Sequence, residues 1–515
     1  MFLILTASKD AYITNKIIDN SYRATDANTG RAGTLDLFKL YNESSIDGEN
    51  NPIELSRILI KFGYQKLHEL TGTVLDIRKS GFKCELVLKD IMAGQMAPKG
   101  FNMILFPLSR SFDEGNGKDV VSFGDLDRVN FVTASYSNAV EAKWFVSGAD
   151  MQGLLGSSDI DIISSGNVGA GVENFWVTQN FVEGSEDLRI DVTKIVSASL
   201  KGLIPNHGFR LSFSGSEETD EKTRFVKRFA SRHVRKKTLQ PQIHVSFDDT
   251  LHDHHNSFFF DVSGSLFLNN YHRGKESNLV SGSALTEIQG PNSVLVTIRS
   301  GSYVNYVTAS MHTGSTDDSG MTGVYSASFA IPSNDSTVLD GYQTLSQMVS
   351  RTGSITFEEY WSDFSGLVGY YTGSLKIESP TRTGFNYISR QPDIKVTNIR
   401  DKYKISDIVR FRVFGVDYEE DTKRRKSSKT PMSVKSVIFD EVYYRIVDAQ
   451  SGDEVIPFMR SNNGTRLSTD SEGQFFNFRM DNLFAGKSYT FEFLIVDRGL
   501  EFKVNDSRVK FKLEK

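Results

Sequence analysis

The chain has 515 residues and a formal net charge of −5, with 39% hydrophobic and 24% charged residues. That balance excludes a disordered or collagen-like chain, and it offers no bulk positive charge for nucleic acid. At ~150 residues per domain the length predicts about three domains, and 37 Phe and 41 Gly against 11 Pro and 1 Cys predict an all-β protein with many turns.

The N-terminal region, 1–249, is predicted to be a jelly-roll β-sandwich. Met1-Phe2-Leu3-Ile4-Leu5 is apolar but short and lacks a basic flank, so it reads as a first strand and not as a targeting segment. Cys84 lies in the alternating run Phe82-Lys83-Cys84-Glu85-Leu86-Val87-Leu88, which makes it a buried, inert thiol. Alone in the chain, it has no partner for an internal disulfide. Further strands are Arg57-Ile58-Leu59-Ile60-Lys61-Phe62, the run 101–108, Leu188-Arg189-Ile190-Asp191-Val192, Gly208-Phe209-Arg210-Leu211-Ser212-Phe213 and Ile243-His244-Val245-Ser246-Phe247. Two short helices are expected, over 193–201 and 219–234.

Residues 250–257 are polar and break the strand pattern, which marks a linker. A middle β-domain is expected over 258–392, with strands such as Ser293-Val294-Leu295-Val296-Thr297-Ile298 and the run 354–361. It repeats a small triplet around Gly264, Gly282, Gly301, Gly314, Gly353 and Gly373, read as strand-end turns. Residues 393–515 are expected to form an immunoglobulin- or fibronectin-III-like β-sandwich. There Leu483, a small turn and Tyr489 at the head of a strong strand match the pattern of a tyrosine corner.

Few residues offer chemistry. His252-Asp253-His254-His255 is the densest set of possible metal ligands, but adjacent loop positions rarely converge on one ion, so no metal is expected. Trp144 and Trp176 are candidate aromatic platforms for a glycan, although each also suits a core. The basic run 423–429 follows an acidic one and reads as a solvated hairpin tip. Asp36, Asp113, Glu114, Asp159 and Asp161 have no spacing that ties them into an acid/base pair. No catalytic residue and no cofactor is expected, and no run approaches the ~18 apolar residues of a membrane span.

Several motifs occur in a distinctive order. They are Lys9-Asp10-Ala11-Tyr12-Ile13, then Arg57-Ile58-Leu59-Ile60-Lys61-Phe62, Ser111-Phe112-Asp113-Glu114 and Asp191-Val192-Thr193. This order resembles the DNRLRE-type jelly-roll modules, which are related to carbohydrate-binding modules. The stretches 224–233, 253–255 and 258–270 are similar to virion structural proteins of T4-like contractile-tailed phages, especially those of marine hosts. The resemblance implies a particle component of the tail, neck or baseplate, assembled in the host cytoplasm. Its partners would be other virion proteins and copies of itself in a symmetric assembly, with no membrane or nucleic acid. The alternative it implies is a host-surface glycan-binding module on the particle.

Overall fold

The computed structural model describes all residues except 72, 92–96, 122–124, 138–139, 169–170, 274, 283–284, 314–319, 380–390, 419–435, 498 and 506–508. The basic run 423–429 and the triplet at Gly314 therefore lie outside the described residues. The chain divides into two compact units, one of Leu3–His68 with Phe82–Ser246 and one of Met1–Phe2, Glu69–Gly81 and Phe247–Lys515. The protein is all-β, in tandem β-sheet modules.

The N-terminal unit is built from β1 (Phe2–Thr14), β2 (Thr34–Tyr41), β3 (Ile53–Phe62), β4 (Lys83–Leu88), β5 (Phe101–Pro107), β6 (Val177–Phe181), β7 (Leu188–Asp191), β8 (Phe209–Phe213), β9 (Arg224–Ala230) and β10 (Gln242–Ser246). The strand order is β6-β5-β8-β3-β1-β10-β4-β7, with β2 joining β3 to β9. Strand β3 serves three partners, with β8 along one edge and β2 and β1 sharing the rest of its pairing. Its first residues pair with β2, Ile53 opposite Tyr41, and the rest pairs with β1, Ser56 opposite Thr14 through Phe62 opposite Ala7. A register shift between Ala7 and Lys9 bends β1 at the far end of this pairing. Strands that bend and change partners in this way turn one hydrogen-bonded ribbon into a two-layered sandwich. Ile58, Ile60, Leu105, Leu211 and Phe209 alternate into its core, and Cys84 is buried among the strands of β4. Burial raises the Cys84 thiol well above its ordinary range, which keeps it protonated.

The helix expected at 193–201 is α1 (Thr193–Leu200). The one expected at 219–234 is not a helix. A five-residue helix, α2 (Gly215–Thr219), precedes it, and Arg224–Ala230 is strand β9, paired antiparallel with β2. Its charges misled the reading. Arg224 and Lys227 are buried and paired inside the fold, so charge did not mark a solvated face.

The middle region forms one seven-stranded sheet from β11 (Phe258–Phe259), β12 (Gly264–Asn269), β13 (Val294–Ser300), β14 (Tyr303–Met311), β15 (Val324–Phe329), β16 (Ser354–Ser362) and β17 (Gly369–Glu378). The order is β11-β17-β16-β13-β14-β15-β12, so the two edge strands are neighbours in sequence. A flat sheet of this width would separate its edges by roughly 29 Å at ~4.8 Å per strand. The few residues between β11 and β12 reach only about 15 Å. The sheet must curl, and it does so around Phe258, Val296, Phe329, Phe357 and Trp361. Gly264 allows this closure, since a Cβ there would meet the Phe258 ring at 2.3 Å. Its backbone is not left-handed, whereas Gly301 and Gly353 have φ of 54° and 72° and make the turns expected of the triplets.

The C-terminal region is a two-sheet sandwich built from β18 (Pro392–Val396), β19 (Lys402–Lys404), β20 (Ile408–Asp417), β21 (Glu441–Asp448), β22 (Glu454–Ile456), β23 (Ser468–Asp470), β24 (Gly473–Arg479), β25 (Ser488–Asp497), β26 (Leu500–Asn505) and β27 (Phe511–Glu514). One sheet is β18-β20-β24-β23. The other is β19-β27-β25-β21-β22, with β26 on β25. That split of four strands against a larger second sheet is immunoglobulin-like. Phe411, Phe476 and Phe491 fill the space between the sheets with ring centroids 5.0–5.4 Å apart. Tyr489 makes the tyrosine corner. Its hydroxyl accepts from Phe484 N–H at 2.9 Å and donates to Phe484 C=O at 3.0 Å.

Residues 250–257, read as a linker, are packed on both sides. Leu251 N–H donates to Ser468 Oγ (3.1 Å), and Thr469 N–H donates to Leu251 C=O (2.9 Å). Asp253 accepts from Phe267 N–H on β12 (2.9 Å), so this polar stretch ties the curled sheet to the C-terminal sandwich.

Candidate functional site

The outward face of the sheet in the N-terminal unit carries the most site-like arrangement. On β3, β5 and β8, alternation that sends Ile58, Leu105 and Leu211 into the sandwich core sends Arg57, Leu59, Ile104, Phe106, Arg210 and Ser212 the other way. The chain between β5 and β6 folds back over part of this face, packing Phe112, Phe131, Trp144 and Ile162 on Leu59 and Phe106. Where that cover ends, a cavity of about 420 Å³ remains. Ile104, Phe106 and Phe213 form an apolar side, and Trp176, 44% exposed, stands beside them. Asp150, Gln152, Ser164, Arg210 and Glu218 supply the polar side.

Four charged groups organise that polar side. Arg57 donates to Glu218 through Nε (3.1 Å to Oε1) and Nη2 (2.6 Å to Oε2), and through Nη1 to Gly148 C=O (2.8 Å). Asp150 Oδ1 lies 3.0 Å from Nη2 of both Arg57 and Arg210. Two cations and two carboxylates therefore balance in a largely buried quartet, in which Asp150 is the member most open to solvent. Burial, and then the neighbouring Arg57 charge, push the Arg210 guanidinium down to about 10, so it stays charged at neutral pH. Arg210 Nε is buried and has no hydrogen-bond partner. An indole face, an apolar floor and a rim of carboxylate, amide and hydroxyl groups suit a ring-shaped, hydroxyl-rich ligand. The carboxylates are committed to arginines, an arrangement for holding and not for proton transfer.

Of the two tryptophans expected as platforms, the structure offers one. Trp144 is 4% exposed, and its Nε1–H donates to Asn130 C=O at 3.1 Å. It is a core residue, because the covering chain needs a large apolar body against the sheet. Trp176 keeps an open face. The quartet itself was missed. Arg57 and Arg210 stand in runs read only for alternation, and the one signal was a charged residue on an otherwise apolar strand face.

The remaining candidates are spoken for. Asp36 pairs with Arg228 at 3.0 Å. Asp161 is buried and accepts the N–H groups of Phe145, Val146 and Met151 at 2.8–3.1 Å. His252, His254 and His255 do not converge. His254 faces Ser265 backbone, while His255 bridges Asp253 and Glu359. Among the described residues one other group, Asp10, Glu114 and His233, brings three possible ligand atoms within 4.8 Å of one another. Its Glu114 already accepts from Arg232 Nε at 2.5 Å and from Asp10 N–H at 2.8 Å. Burial, opposed by Arg232 N–H and helped by the Glu114 charge, raises Asp10 to about 7.

No protein-family model matches the sequence, and no curated protein matches it. Among solved structures, fibronectin(III)-like modules of CbhA from Clostridium thermocellum align with 52% of this chain and 90% of theirs, at 7% identity and a TM-score of 0.13. The N-terminal Ig1-2 module of the Drosophila receptor protein tyrosine phosphatase DLAR aligns with 49% of this chain and 91% of its own, at 10% identity and a TM-score of 0.12. The BSP domain of a biofilm associated protein covers 96% of this chain and 68% of its own, at 10% identity and a TM-score of 0.15. At such scores the fold assignment stands on the sheet topology.

Proposed function

We propose that this chain is a non-enzymatic structural component of a tailed-phage particle, in the tail, neck or baseplate, acting by packing against other virion proteins and copies of itself. The observation that carries this reading is the solvent face of the curled sheet. Tyr306 on β14, Thr297 on β13, Tyr360 on β16 and Thr372 on β17 form one cross-strand row. Tyr306 is 67% exposed, and Val304 beside it is exposed as well. Aromatic residues on a broad sheet face are interface chemistry. The motif order at 224–233 and 258–270 supports the same reading. Purified virions of the source phage should contain the protein at a fixed copy number by quantitative mass spectrometry. Its absence from purified particles would sink the proposal.

The pocket beside Trp176 favours a second reading, a host-surface glycan site on the particle. In a glycan array the full chain should bind a defined set of sugars. Trp176→Ala should weaken that binding about tenfold, the worth of one stacking contact, with an unchanged circular dichroism spectrum. Equal binding by the variant rules the pocket out.

A further inference from the structure

Lys39 and Lys227 of the N-terminal unit both have wholly buried side chains, and each faces a carboxylate. Their surroundings differ in a way that matters chemically. Lys39 Nζ lies 2.8 Å from Asp220 Oδ1, but Arg224 grips both oxygens of the same carboxylate, at 2.7 and 2.6 Å. Those hydrogen bonds hold Asp220 well below the usual carboxylate range, and a carboxylate locked in its ionised form is a poor acyl acceptor.

Lys227 sits in a drier place. Its Nζ is 2.6 Å from Asp90 Oδ1, and the Phe181 and Phe229 rings lie 5.1 and 5.0 Å away. Among the described residues, Lys227 is the one cation paired with Asp90. The geometry is set by backbone pairing. Asp90 bridges antiparallel to Phe229, so Lys227, two residues away on the same face of β9, is its diagonal neighbour. The carbonyls of Gly184 and Glu186 accept from Nζ at 2.8 and 2.7 Å and fix its position. Burial lowers the Lys227 pKa, which favours the neutral, nucleophilic amine.

We propose that Lys227 and Asp90 condense into an intramolecular isopeptide bond. The Lys227 ammonium passes one proton to the Asp90 carboxylate it touches, and the neutral Nζ attacks Cγ of the resulting carboxyl. The new C–N bond forms, the C–OH bond breaks, and a second Nζ proton leaves with the departing hydroxyl as water. The sum is ammonium plus carboxylate giving amide plus one water, with no oxidant or reductant. The product replaces a buried ion pair, costly to desolvate, by a neutral amide. It also links residues 137 apart in a chain that has no second cysteine, limiting the unfolded state as a disulfide would.

The test is the mass of the purified full-length protein. Wild type should fall one water below its sequence mass, and a tryptic map should contain a branched peptide joining the Asp90 and Lys227 fragments. Lys227→Arg, which keeps a cation against Asp90, should show its full sequence mass. Wild type at its full sequence mass overturns the proposal, and so does a loss of water without the branched peptide.

Discussion

Replacing His255 by leucine is expected to destabilise the unit that contains it by about 3–5 kcal/mol, because it strands two buried carboxylates. His255 Nε2 lies 2.6 Å from Glu359 Oε2, and its Nδ1 lies 2.5 Å from Asp253 Oδ1, with both acidic side chains almost wholly buried. Glu359 also accepts from the buried Trp361 Nε1, and Asp253 from Phe267 N–H, so neither carboxylate can turn away to water. Urea denaturation of the full chain, followed by fluorescence, measures the loss. Burial by itself would lower the imidazolium pKa, but the hydrogen bonds it donates to Asp253 and Glu359 outweigh it and raise the value from 6.5 to about 10. A raised histidine pKa stabilises the fold fully below the unfolded value of about 6.5. The contribution is lost as pH climbs toward about 10. The urea midpoint of wild type should therefore fall across that window more steeply than that of the leucine variant. Parallel slopes would mean that the imidazolium charge is not what holds this segment.

Arg57→Met is expected to cost a similar 3–5 kcal/mol, for the same reason on the other unit. Arg57 is the cation that meets Glu218 with two nitrogens and shares Asp150 with Arg210. Without it Glu218 stays buried with only the Arg210 contact at 3.8 Å. The double variant Arg57→Met with Glu218→Gln should recover part of the loss, since it removes the stranded charge together with its partner. A double variant no more stable than Arg57→Met would show that Arg57 works through packing instead. Because the quartet forms the polar side of the cavity, Arg57→Met should also remove any ligand binding that depends on Trp176.

Strands were the most legible feature. The runs at 57–62, 101–108, 188–192 and 208–213 alternate because one face of each meets the sandwich core, and that period is written in the residues themselves. The tyrosine corner was legible for a similar reason. Its partners, Phe484 and Tyr489, lie within one turn of chain. The pocket was not legible. Trp144 and Trp176 look alike in sequence, and what separates them is that the chain between β5 and β6 turns Trp144 onto the sheet and leaves Trp176 at the edge of the cavity. Arg57 and Glu218 are 161 residues apart, so no local pattern pairs them.

The same division runs through the whole protein. Composition and alternation by themselves determined an all-β chain with many turns, one buried thiol and no internal disulfide, because these depend on residue type and on a period of two. Only the tertiary structure decided that the middle sheet curls on itself and that the polar stretch 250–257 is a packed clasp. It alone decided that charges at 224–227 lie inside. Those outcomes depend on which distant groups meet: a polar residue is exposed or buried according to whether the fold brings it a partner.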